Sequence, residues 1–81
     1  MTLRIFRRWR VKKVHRRLLE LDYVYDVMME EPVQDRFLIH IWVNELSPER
    51  REELEPRIRE IVRRRPRHIK VDVHLYRRDA G

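Results

Sequence analysis

Three observations predict an α+β domain: apolar residues at helical spacing in two segments, strict alternation in three others, and a proline-led helix start between them. The predicted order is helix, strand, strand, helix, strand. The simplest packing is a two-layer αββαβ sandwich, a three-stranded sheet with both helices on one face.

The first helix is read from Val11, Val14, Leu18 and Leu21, which share one helical face. Its start is less defined, because Leu3, Ile5, Arg7, Trp9 and Val11 also fit period-two spacing. A helix from about Leu3 is preferred, since no Gly, Pro or Asn is there to turn a strand into a helix. Were the N-terminus a strand, the chain would read as a ferredoxin-like βαββαβ domain.

Tyr23, Tyr25, Val27 and Met29 alternate with Val24, Asp26, Met28 and Glu30, which predicts the first strand. Glu31 to Asp35 form a five-residue hairpin loop, and Phe37, Ile39, Ile41 and Val43 mark the second strand, paired antiparallel to the first. Ser47 followed by Pro48 reads as an N-cap with proline in the first helical position. The second helix carries Leu54, Ile58, Ile61 and Val62 inward, and Pro56 should kink or split it. Ile69, Val71, Val73 and Leu75 then alternate with Lys70, Asp72, His74 and Tyr76 as the last strand. This order and the closing Val71, Asp72, Val73 and His74 are similar to the cytoplasmic domain of cation-diffusion transporters. The likeness is one of pattern, generic to small αββαβ folds, and no residue role carries over from it.

Eighty-one residues bound the chain to one domain, spanning 1–81, with a small core. Composition then excludes whole classes of chemistry. There is no Cys, so disulfides, thiolate metal sites and cysteine nucleophiles are out, and a reducing, cytoplasmic setting is expected. The single Gly is Gly81, which removes glycine-dependent phosphate loops and the glycine clamp of KH domains. Neither a bilayer-spanning run nor a signal-peptide core is present. Ser47 is accounted for as a cap and Thr2 lies next to the start, so no nucleophile setting exists and the chain is read as non-enzymatic, without cofactor. Seventeen Arg against three Lys, with one Asn and one Gln, fit a thermophilic source.

Charge supplies the functional expectation. The formal charge is +6, and residues 1–19 hold eight Lys or Arg and no acid, whereas residues 20–46 hold seven acids and one Arg. Arg4, Arg7, Arg8, Arg10, Lys12, Lys13, Arg16 and Arg17 crowd the first helix beside Trp9, with Arg63, Arg64, Arg65 and Arg67 able to extend the field. Arg forks match phosphate oxygens, so nonspecific contact with DNA or RNA is the expected function. The competing expectation is internal neutralisation by Glu20, Asp22, Asp26, Glu30, Glu31 and Asp35. An interfacial membrane helix is disfavoured, because Ile5, Trp9 and Leu19 lie roughly opposite the Val11, Val14, Leu18 and Leu21 stripe.

The outer sheet face is expected to carry Val24, Asp26, Met28, Leu38, His40, Trp42, Lys70, Asp72, His74 and Tyr76. Half of these are apolar, so Val24, Met28, Leu38, Trp42 and Tyr76 are read as an interface, most simply with a second copy. The alternative function is therefore a homodimeric protein-interaction or adaptor domain, its basic helix gripping an acidic protein surface. His40, His74, Asp26 and Asp72 share that face and are metal-ligand types, yet no compact ligand motif accompanies them and no metal is assigned.

Overall fold

The computed structural model describes residues 9–78, and the part of the expected first helix before Trp9 lies outside them. Five elements follow in the predicted order: α1 (Val11–Leu19), β1 (Val24–Val33), β2 (Arg36–Val43), α2 (Pro48–Val62) and β3 (Lys70–Arg77). The fold is α+β, with two helices and a three-stranded mixed open sheet among the described residues. Strand order is β1-β2-β3, with β2 antiparallel to β1 and parallel to β3. Register between β2 and β3 runs unbroken from Arg36↔Lys70 to Val43↔Arg77. No strand separates them, as a split βαβ arrangement would require.

The core grows from β2. Phe37, Ile39, Ile41 and Val43 alternate along it and are all buried. Val14 and Leu18 of α1 and Leu54, Ile58 and Val62 of α2 join them in one cluster, completed by Trp9, Val27 and Ile69. Buried residues of both helices thus share one cluster with the inward row of the central strand.

The start of α1 differs from expectation. Trp9 and Arg10 are not helical, and the helix begins at Val11. In an unbroken helix Trp9 would point away from the Val11, Val14 and Leu18 stripe. The break frees its ring to turn inward, where it is 8% exposed and meets Phe37 edge-on at 5.3 Å. Burying an indole outweighs about one turn of backbone hydrogen bonds at a frayed helix start.

Strand boundaries shift for local reasons. The Val24/Asp26 register step makes Tyr25 the extra residue of a bulge, which places Val24 opposite buried Val43 and packs it on the core. Tyr23 is outside the strand at φ 75°, and both tyrosines are exposed, so neither shares the buried face of Val27. At the other end β1 continues to Val33, and the expected five-residue loop shrinks to Gln34 and Asp35. Asp35 takes φ 63°, tolerable for its short polar side chain, and its N–H donates to Glu31 Oε2 at 2.8 Å.

The second helix starts as predicted, with Arg50 N–H donating to Ser47 Oγ at 3.2 Å and Pro48 in the first turn. Pro56 does not split it, for α2 is continuous from Pro48 to Val62. Glu52 and Pro56 are both exposed, so solvent can take the carbonyl that Pro56 leaves without a donor. Arg50 lies 3.4 Å over the Tyr23 ring, between Glu45 at 3.5 Å and Glu53 at 3.2 Å. Desolvation works to lower its pKa, but contact with Tyr23 and Glu45 more than offsets this and leaves it above the ordinary arginine value.

Because Trp9 holds the chain entry against β2, Trp9→Ala should destabilise the fold by about 3 kcal/mol, within the range for buried aromatic truncation. Ser47→Ala should cost only about 1 kcal/mol. Urea unfolding of both variants against the parent checks the ranking.

Candidate nucleic-acid interface

α1 is amphipathic, and its own core residues determine where its cations go. With Val14 and Leu18 buried, Lys12, Lys13, Arg16 and Arg17 are left exposed, as is Arg10 at the helix entry. Arg16 and Arg17 also occupy the last turn, where the helix dipole favours positive charge. His15 fixes the rotation of the helix: its Nε2 lies 2.8 Å from the Val27 carbonyl of β1 and donates to it. One hundred degrees per residue then places Lys13 and Arg17 on the flank opposite His15, turned toward α2.

The same geometry applies to α2. Arg51, Glu55 and Arg59 line its β3 side together with Val71, Val73 and Leu75. Arg57 falls on the other flank, toward α1, and is exposed, as is Arg64 just past the end of α2. The two helices pack on each other. Each therefore presents cations on the flank that faces the other.

Trp9 meets Phe37 at the start of β2, and Phe37 is level with Val71 at the start of β3. Arg10 and the α2–β3 connection, with Arg63, Arg64, Arg65 and Arg67, thus occupy the same end of the sheet. These four arginines are not equivalent. Arg65 donates from Nε to the Ile69 carbonyl and from Nη1 to the Val62 carbonyl, both at 2.9 Å, closing the end of α2. Arg63 lies 3.7 Å from Glu60. Arg64 and Arg67 are exposed.

The competing expectation was that acids would quench these cations. Among the described residues, Arg10, Lys12, Lys13, Arg16, Arg17, Arg57, Arg64 and Arg67 have no acidic partner within 4 Å. Several acids are engaged elsewhere. Glu30 accepts from His40 Nε2 at 2.8 Å, Asp26 accepts from the Val27 N–H at 2.9 Å, and Glu55 pairs with Arg51 at 3.4 Å. Arg7 and Arg8 lie outside the described residues. Arg57 was missed by sequence reasoning, although its position one residue before core Ile58 was a usable signal.

Register resolves the other candidate surface. Leu38, His40 and Trp42 of β2 stand level with Asp72, His74 and Tyr76 of β3 and with Glu30, Met28 and Asp26 of β1. Met28, Leu38, Trp42 and Tyr76 are therefore on the outer face as expected. Val24 is not: the Tyr25 bulge turns it to the core side, which corrects its assignment to the interface. The face partly covers itself. Trp42 stacks on Tyr76 at 5.2 Å and His40 on His74 at 5.8 Å. His40 Nε2 donates to the Glu30 carboxylate, and its Nδ1 is hydrogen-bonded to the Tyr76 hydroxyl at 2.9 Å. Met28 remains 48% and Tyr76 37% exposed. His40, His74, Asp26 and Asp72 share the face, but among the described residues no three metal-type side chains converge.

Among the described residues, no helix is long and apolar enough to cross a membrane. Comparison with protein families, with curated proteins and with solved structures finds no match to this chain.

The division of labour among the arginines is measurable. Arg65→Ala should lower stability by about 1 kcal/mol, or somewhat more, through its two lost charge-assisted bonds. Arg64→Ala should stay within about 0.5 kcal/mol of the parent, as surface substitutions do. Thermal unfolding of the pair, followed by circular dichroism, distinguishes a capping arginine from a free one.

Proposed function

We propose that this chain is a non-enzymatic, phosphate-contacting module that binds nucleic acid through the basic cleft between α1 and α2. The observation that carries the reading is the set of exposed cations on two neighbouring helices without acidic partners among the described residues. Like charges facing one cleft repel, and a polyanion laid along it relieves that repulsion while releasing its own counterions. Arg10, Lys13, Arg17, Arg57 and Arg64 form the proposed contact, Lys12, Arg16 and Arg67 widen it, and Arg7 and Arg8 are included on sequence grounds. Arg63 contributes weakly and Arg65 not at all, since its donors already hold backbone carbonyls. The arrangement fits a two-layer αββαβ sandwich, which leaves the helical layer free to bind. Such contacts read the backbone, so little base preference is expected.

A second reading uses the outer sheet face as a protein-interaction surface, a homodimer among the options. It is favoured by the exposure of Met28 and Tyr76 around the Leu38 and Trp42 centre. The carboxylates of Asp26, Glu30 and Asp72 on that face make it a poor surface for phosphate.

Affinity for a nonspecific single-stranded oligonucleotide should fall linearly on a log–log salt plot, with a slope of about −0.7 per phosphate contacted. The double charge reversal Lys13→Glu with Arg17→Glu should abolish binding, whereas Trp42→Ala and Leu38→Asp should leave it intact. Fluorescence anisotropy across a salt series makes the measurement. Absence of binding at low salt, or loss only in the sheet variants, would overturn the reading.

A further inference from the structure

The two edges of the sheet are unlike. The outer edge of β1 is interrupted by two register shifts, contains Pro32, and has its Val27 carbonyl occupied by His15. Bulges, proline and such covers are how proteins prevent strand addition. β3 has none of these devices. It runs eight residues without Pro or Gly, in unbroken register with β2, and its other side has no strand among the described residues. Beside it lies a groove of about 450 Å³ with a mixed lining, Ile58, Val62, Val71, Val73 and Leu75 together with Arg51, Glu55, Arg59 and Arg65.

The sequence of β3 is self-complementary when laid against itself. Antiparallel pairing centred on Val73 sets Val73 opposite Val73, and Val71 opposite Leu75, all on the core side. On the outer side the same register sets Asp72 opposite His74, twice, and Lys70 opposite the Tyr76 ring, twice. From Lys70 to Tyr76 the cross-strand pairs are apolar with apolar, acid with imidazole, or cation with aromatic, and Arg77 falls opposite Ile69 just outside the strand. Val73, 36% exposed at the groove, sits on the symmetry axis. The axis also brings α2 of each copy alongside the other in antiparallel fashion, with Glu55 able to approach Arg59 of the other copy.

We propose that β3 is a self-association edge: two copies pair β3 to β3 about a two-fold axis through Val73, joining their sheets into one of six strands. The occupant of the groove is then the second copy. This inference is independent of nucleic-acid binding and uses a different surface from the outer sheet face.

The absence of cysteine gives a direct test. In this register the two Val73 Cα atoms are about 5 Å apart, within the range a disulfide spans, so Val73→Cys should cross-link to a dimer under mild oxidation. Tyr76→Cys should not, because each position 76 faces position 70 of the other strand and lies roughly 20 Å from its own counterpart. The expected result is cross-linking at least about tenfold faster at position 73 than at position 76, given the geometry a disulfide demands. Light scattering of the parent chain should also give about twice 10.3 kDa at high micromolar concentration. A monomeric parent, equal rates at the two positions, or faster cross-linking at position 76 would overturn the proposal, the last by placing the second copy on the outer face. The light-scattering arm holds even if a cysteine variant fails to fold.

Discussion

The described structure depends on one constraint: among the described residues β2 is the only strand with neighbours on both sides, and one of its faces must be kept from water. Phe37, Ile39, Ile41 and Val43 alternate along it and are all buried, in one cluster with residues of both helices. With about 80 residues there is only enough apolar surface for one such layer. Covering one face leaves the other with a mixed composition, and the outer sides of the helices become the available home for most of the arginines. The charge distribution is thus a consequence of the core.

The same constraint explains why the acids do not quench the cations. Two inward strand residues are separated by one outward residue, so Asp26, Glu30 and Asp72 are held on the face opposite the helices. A sheet lies between them and Lys13 or Arg17. The sequence separates the two signs along the chain, and for these three acids the fold separates them in space. Three acids of α2 are used locally, Glu53 and Glu55 by Arg50 and Arg51, three and four residues away, and Glu60 by Arg63. Such exposed pairs add little stability, roughly 0.3–0.5 kcal/mol each, but they do determine which arginines are left without a partner.

Much of this was legible beforehand. The element order, the antiparallel β1–β2 hairpin, the Ser47 and Pro48 helix start and the inward rows of β2 and α2 follow from period and capping chemistry, which are local. What could not be read is what depends on distant contacts. Trp9 breaks α1 because Phe37, 28 positions later, offers a place for its ring. Val24 changes face because a single bulge at Tyr25 reverses the parity of the strand before it, and alternation alone does not reveal where a bulge falls. Pro56 looked disruptive, yet its position on the solvent side of α2 makes it tolerable. At the site, the exposed cations of α1 were evident from the wheel. Arg65 was assigned to phosphate because its use as a cap requires knowing where the Ile69 carbonyl turns.

The account rests most heavily on the claim that the helical layer, and not the sheet face, is where a polyanion docks. Amide chemical-shift mapping by NMR during titration with a short single-stranded oligonucleotide tests it residue by residue. The account predicts shifts gathered on Arg10 to Arg17 and around Arg57 and Arg64, with Leu38, Trp42 and Tyr76 unmoved. Shifts concentrated on those three sheet residues, or none anywhere at low salt, would contradict it.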